Sequence, residues 1–127
     1  MEIEDIKVGE YVRTKDGVIA KVENIETYYA DKVYWFDKVI YRDYEDGIEH
    51  LYDYKLEEYI LKHSKEIIDL VEKGDYVNGK EVKVVQDYGD FKRIDFEEYE
   101  DYIYKESIKT IITKEKIKKI EYKVGEL

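Results

Sequence analysis

The chain runs in short stretches of alternating apolar and polar residues, broken by single glycines and by Asp-Gly or Asn-Gly pairs. Few segments show the three-to-four-residue spacing of an amphipathic helix, so the dominant period is that of half-buried strands. The pattern predicts a hairpin from Tyr11-Val12-Arg13 through Asp16-Gly17 into Val18–Val22, and another from Tyr76-Val77 through Asn78-Gly79 into Lys80–Val85. Asp-Gly and Asn-Gly signal hairpins because both residues tolerate positive φ. Further strands are predicted over Lys32–Tyr41, Gly47–Asp53, Phe91–Phe96 and Tyr102–Thr113. Helical turns are predicted at Lys55–Tyr59, leading into Ile60-Leu61, and at Lys65–Leu70 behind a Ser64 cap. Another is predicted at Lys114–Lys119 behind a Thr113 cap, with a closing strand over Ile120–Val124.

The pattern also repeats. Ile6-Lys7-Val8-Gly9-Glu10-Tyr11-Val12 returns as Val71-Glu72-Lys73-Gly74-Asp75-Tyr76-Val77, each running apolar-x-x-Gly-acid-Tyr-Val. Each copy enters a hairpin and each half closes on a helical turn and a strand. Two related β units are expected, residues 1–63 and 64–127; the alternative is one continuous sheet in which both segments are ordinary strands. Composition agrees with β structure: Ile (16) and Val (12) far outnumber Leu (5) and Ala (2), and there are 15 Tyr. The fold class expected is mostly β with short helical turns.

Val8-Gly9-Glu10-Tyr11-Val12 with Asp16-Gly17 and Ala20-Lys21-Val22 resembles the opening hairpin of SH3-like barrels, including the KOW type, although Ala20 stands where a KOW element carries Gly. The resemblance implies two tandem small SH3-like barrel units. His63–Leu70 running into Gly74–Gly79, together with Ile111-Ile112-Thr113-Lys114-Glu115, is similar to small phage and prophage proteins of low-GC Gram-positive bacteria. That resemblance implies a setting, the cytoplasm of a bacterial host, and no particular activity.

Charge narrows the function classes. The chain of 127 residues carries a formal charge of −10, which argues against general binding of nucleic acid, since phosphate affinity comes from Lys and Arg. With no Cys there is no disulfide framework, zinc finger or thiol chemistry. No apolar stretch is long enough for a membrane span and the first residues lack a signal-peptide pattern, so a soluble cytoplasmic protein is expected. His50 and His63 have no nucleophile motif beside them, and Ser64 next to His63 suits a helix cap better than a catalytic dyad. Asp43-Tyr44-Glu45-Asp46-Gly47 lacks the alternate oxygen ligands of a calcium loop, because Arg42 and Tyr44 occupy those positions. No enzyme, metal or cofactor is expected.

Two acidic and aromatic runs remain as candidate partner-binding residues. The stronger is Asp95-Phe96-Glu97-Glu98-Tyr99-Glu100-Asp101-Tyr102, and the second contains Asp43, Tyr44, Glu45 and Asp46. Crowded carboxylates repel unless a basic partner or solvent screens them, and Tyr gives large contact area with few torsions to freeze. In contrast, residues 103–124 hold seven Lys, among them Lys105, Lys109, Lys114, Lys116, Lys118, Lys119 and Lys123, and lysines of this kind protect edge strands from pairing. The expected function is an acidic interaction protein that binds a basic groove on a host protein, one that handles nucleic acid or serves antiviral defence, and inhibits it by mimicking DNA charge. Two alternatives belong to other classes. One is a small-molecule binder that sequesters a nucleotide through aromatic rings with Arg13, Arg42, Arg93 or the C-terminal lysines. The other is a KOW-like nucleic-acid module. Exposed edges in such small β units make a homodimer one way to cover them.

Overall fold

The computed structural model describes residues 6–98 and 100–120, the side chains of residues 119 and 120 excepted. The chain divides into two compact units, Met1–Leu70 and Val71–Leu127. The boundary falls later than the expected 63/64 because the 3-10 turn Ile67–Leu70 belongs with the first unit: Ile68 and Leu70 are buried, and Arg13 donates to the Leu70 carbonyl at 2.8 Å.

The first unit contains β1 (Tyr11–Thr14), β2 (Ile19–Tyr28), β3 (Asp31–Phe36), β4 (Tyr41–Asp43), β5 (Asp46–Ile48), β6 (His50–Tyr52), the short helix α1 (Leu56–Tyr59) and β7 (Ile60–Ser64). Its main sheet has the order β6-β3-β2-β1-β7, all antiparallel, while β4 and β5 form a separate hairpin. The core packs Ile6, Val12, Val22, Phe36, Leu51 and Leu56, each at most 3% exposed. Alternation along β1 and β2 sends Val12, Ala20 and Val22 inward.

The second unit contains β8 (Tyr76–Val77), β9 (Lys80–Asp87), β10 (Lys92–Phe96), β11 (Tyr102–Tyr104), a 3-10 turn at Lys105–Ser107, β12 (Ile111–Ile112) and α2 (Lys114–Ile120). Its sheet has the order β11-β10-β9-β8-β12. Val77, Val82, Ile94 and Phe96 form its buried centre. Among the described residues both units therefore run three principal strands in succession, add a fourth at one edge, make a helical turn, and return a strand to pair with the first.

The shared sequence motif has the same job in both. Gly9 and Gly74 adopt φ of 94° and 95°, a region costly for any residue with a Cβ. Gly9 N–H then donates to the Val22 carbonyl at 2.9 Å, and Gly74 N–H to the Val82 carbonyl at 3.0 Å. The acid that follows is buried in each copy and turns its carboxylate back onto the opening turn. Glu10 accepts from Lys7 N–H and lies 2.9 Å from His63 Nδ1, whereas Asp75 accepts from Glu72 N–H at 2.7 Å and from Lys114 N–H at 2.8 Å. The carboxylate fastens the opening turn to β7 in the first unit and to the start of α2 in the second.

Several sequence expectations need correction. The sheets are open: no pairing joins β6 to β7 or β11 to β12 among the described residues, so neither unit is a closed barrel. The strand expected over Lys32–Tyr41 ends at Phe36, where Asp37 bonds back to Lys21 through Lys21 N–H to Oδ1 at 2.9 Å and Asp37 N–H to the Lys21 carbonyl at 3.0 Å. The bend buries Ile40 and starts the β4–β5 hairpin. The Gly47–Asp53 expectation splits into β5 and β6, and Tyr102–Thr113 into β11, a 3-10 turn and β12. The unexpected 3-10 turn Lys105–Ser107 precedes β12, and α2 follows β12 at the position expected for the Lys114–Lys119 turn, as the Ile67–Leu70 turn follows β7. The strand expected over 120–124 lies outside the described residues beyond Ile120, the end of α2.

Candidate interaction site

The stronger acidic run occupies the end of β10, the loop of residues 97–101 and the start of β11. Phe96 N–H donates to the Asp101 carbonyl at 2.9 Å and Asp101 N–H to the Glu98 carbonyl at 3.1 Å, with Glu100 at a positive φ of 64°. These bonds close the loop and turn its acidic side chains outward.

The five carboxylates then part ways. Asp95 accepts from Arg93 Nε at 2.7 Å and Nη2 at 3.3 Å. Arg93 in turn lies over the rings of Tyr102 at 4.4 Å and Tyr88 at 5.3 Å. The Asp95 hydrogen bond raises the affinity of that guanidinium for its proton above the ordinary value, so it stays charged. Asp101 pairs with Lys80 at 2.9 Å, and the same ammonium sits 5.6 Å from the Phe96 ring centre. Glu97, Glu98 and Glu100 are exposed and have no side-chain partner among the described residues. Tyr99 lies outside the described residues.

These residues surround an open groove of about 580 Å³. Val84, Phe96 and Tyr102 give it apolar surface, Lys83 and Arg93 supply cations, and Asp95, Glu97, Glu98, Glu100 and Asp101 supply carboxylates. Phe96 is not the exposed anchor expected from sequence: at 5% exposure it is core. The alternation of Ile94 and Phe96 with Arg93 and Asp95 carried that signal, and a register shift after Asp95 sets Phe96 opposite Val82.

The second run forms the tip of the β4–β5 hairpin in the first unit. Asp43 and Asp46 face each other across it, and Tyr44 is 98% exposed at φ 59°. Like charges directly opposite disfavour a hairpin. Gly47 holds it close instead, because a Cβ there would lie 2.7 Å from Val39 Cγ2. The two runs belong to different units, yet each lies in the connection between its unit's third and fourth principal strands, β3 to β6 and β10 to β11.

The other candidate chemistry is occupied structurally. Arg13 is fully buried on the Leu70 carbonyl, which corrects its proposed role in holding a phosphate; Arg42 lies on β4 and Arg93 is paired with Asp95. His63 faces Glu10, while Ser64 donates to Asp69 and accepts from Glu66 N–H at 3.1 Å, as a cap does. His50 packs against Trp35, ring centres 4.8 Å apart. No cluster of His, Asp and Glu suited to a metal occurs among the described residues, and no helix there is long and apolar enough to cross a membrane. Sequence reasoning passed over Tyr88, Phe91 and Tyr104, which expose rings beside the groove. The alternation of Tyr102 and Tyr104 about Ile103 was the available sign for one of them. No family model, curated protein or solved structure matches the chain.

Proposed function

We propose that this chain is a non-enzymatic, acidic binding protein of phage or prophage type, built from two SH3-like units. It engages a basic groove on a host protein that handles nucleic acid or serves antiviral defence. Its carboxylates stand where that protein receives phosphates, and occupation of the groove inhibits it. The observation that carries this reading is the groove beside the 97–101 loop, where Glu97, Glu98 and Glu100 are exposed while Asp95 and Asp101 are already matched to Arg93 and Lys80. Unmatched carboxylates at a rim with apolar surface beneath suit a partner that brings Arg or Lys, whose pairing with carboxylate is charge-assisted and geometrically specific. The strand order, in which the last strand returns to the first after a helical turn, supports the SH3-like assignment.

Capture from a lysate of a low-GC Gram-positive bacterium, with the wild-type chain and the E97Q/E98Q/E100Q variant as baits, tests the reading. The expected result is a nucleic-acid-handling protein held by the wild type, lost in the variant, and released by added duplex DNA. Its binding should weaken as salt rises from about 50 to about 200 mM, where screening shortens the reach of exposed charges. A partner held equally by both baits, insensitive to salt and to DNA, overturns the proposal.

A further inference from the structure

The outward face of β10 and β11 carries rings that the core does not use. Ile94 is buried, so Arg93 and Asp95 share the opposite side of β10, and the register sets Tyr104 against Arg93 and Tyr102 against Asp95. Tyr88 and Phe91, flanking the β9–β10 turn, stack at 5.0 Å. Phe91 meets Tyr104 at 5.7 Å and Tyr104 meets Tyr102 at 5.7 Å, so the four rings are continuous. Each keeps between 41% and 50% of its surface exposed. An apolar patch of linked rings on a small domain marks an interaction surface rather than scattered exposure.

The surface already shows what it accepts. The Arg93 guanidinium lies over two of its rings, and Lys80 lies over the neighbouring Phe96. Ring faces attract cations, arginine most readily because its plane also stacks. Glu97, Glu98 and Glu100 add negative charge at one side. β11 has a strand partner on only one side among the described residues, and an open edge of this kind can accept an extended chain. The first unit has rings in the corresponding place: Trp35 on β3 against His50 on β6, then Tyr52, then Tyr54 stacked at 5.4 Å.

We propose that the β10–β11 face docks an extended, arginine-rich segment of a protein partner. Its guanidinium groups lie on Tyr88, Phe91 and Tyr104, and its backbone runs along β11. This rests on the reading above that the partner is basic, and adds the type of cation and the mode of binding. Charge decides the occupant: single-stranded nucleic acid also stacks on rings, but its phosphates would meet the three unmatched glutamates.

The test uses two labelled peptides of equal length and charge, one an Arg-Ser repeat and one a Lys-Ser repeat, titrated by anisotropy into the full chain. The Arg peptide should bind about tenfold more tightly, from two or three exposed ring contacts. In Y88S/F91S/Y104S that preference should fall to about unity, leaving weak salt-dependent binding of both peptides. In E97Q/E98Q/E100Q both peptides should weaken while the preference stays. Equal affinity for the two peptides overturns the docking site and leaves the carboxylate reading standing. An arginine preference with no salt dependence overturns the carboxylate reading alone. An oligo-dT strand that binds the wild type and not the ring variant overturns the choice of occupant. Should the ring variant fail to fold by circular dichroism, amide shifts of the wild type decide: the Arg peptide must move Tyr88 and Tyr102–Tyr104, and shifts confined elsewhere overturn the proposal.

Discussion

Asp75 offers a direct test of what the repeated motif contributes. Its side chain is fully buried and accepts two backbone N–H bonds, from Glu72 at 2.7 Å and from Lys114 at 2.8 Å, so it joins the first turn of the second unit to the start of α2. Asp75→Ala removes both acceptors at once. Each charge-assisted bond is worth about 1.5–3 kcal/mol, and a buried donor left alone costs about 1–3 kcal/mol. The Lys114 amide lies on an exposed residue at the helix start and can recover water, and the buried carboxylate's own desolvation cost disappears. The expected net loss is therefore near the lower end for two bonds, about 3 kcal/mol. A folding unit spanning residues 71–127 holds only about 3–8 kcal/mol at ordinary stability per residue. The variant should sit at the edge of unfolding. Asp75→Asn keeps one acceptor oxygen and turns an amide N–H₂ towards the other donor, for a loss of about 2 kcal/mol. Urea unfolding followed by circular dichroism gives the energies, and amide exchange at Glu72 and Lys114 locates them. Asp90→Asn, an exposed change, serves as control and should stay within about 0.5 kcal/mol. A loss below about 1 kcal/mol in Asp75→Ala would refute the view that this carboxylate ties the unit together.

Gly9→Ala and Gly74→Ala should cost about 1–2 kcal/mol each, measured as a fall in melting temperature. The two costs should be alike, since a Cβ at Gly9 meets nothing within 4 Å and one at Gly74 only ordinary contacts at 3.6 Å, leaving backbone strain as the cause. Asn78 holds the β8–β9 turn at φ 53° and also receives the Lys109 and Thr110 amides at 2.8 and 3.1 Å while donating to the Ser107 carbonyl at 2.8 Å. Asn78→Ala should lose about 2 kcal/mol and Asn78→Asp, which keeps both accepted bonds, about half that, by urea titration. Tyr41 stacks on Tyr59 at 4.6 Å, and burial first, then the Tyr59 phenolate, raises its pKa above the ordinary 10.0. Its contribution to stability is thus complete below the unfolded value and lost as pH rises through the higher folded one. Tyrosinate absorbance should show Tyr41 titrating late, and Tyr59→Phe should bring it part of the way back.

What the sequence made legible was the frame. The Gly-acid-Tyr-Val echo, the Asn-Gly and Asp-Gly hairpins and the period-two alternation describe local geometry, and local geometry is what a turn residue or a two-residue period encodes. The helical turn at Lys114–Lys119 was legible from its Thr113 start, but the Lys105–Ser107 turn was not, because it carries no cap or apolar period and is steadied by Asn78, distant in the chain. The bend at residues 37–40 had no Gly or Pro to announce it and is made by Asp37 reaching Lys21. At the candidate site the acidic residues were visible, but not which of them the fold had already matched. Arg93 with Asp95 and Lys80 with Asp101 follow from register and loop closure, which composition does not contain.

That division changes what the net charge of −10 means. Some acids are internal ties: Glu10 and Asp75 are buried and bonded, and neutralising them is a question of stability. Others, Asp95 and Asp101, hold cations in place beside aromatic rings. A third group is exposed, and it includes Asp43, Glu45 and Asp46 in the β3–β6 connection and Glu97, Glu98 and Glu100 in the β10–β11 connection. A uniform reduction of charge would confuse these three roles. Replacing Glu97, Glu98 and Glu100 alone removes offered charge while Arg93–Asp95 and Lys80–Asp101 remain, so stability should hold within about 0.5 kcal/mol, as for surface changes generally. Relief of repulsion among the three could even raise it slightly. If that variant instead unfolds as readily as Asp75→Ala, these glutamates serve the fold, and the case for a carboxylate surface built for a partner fails.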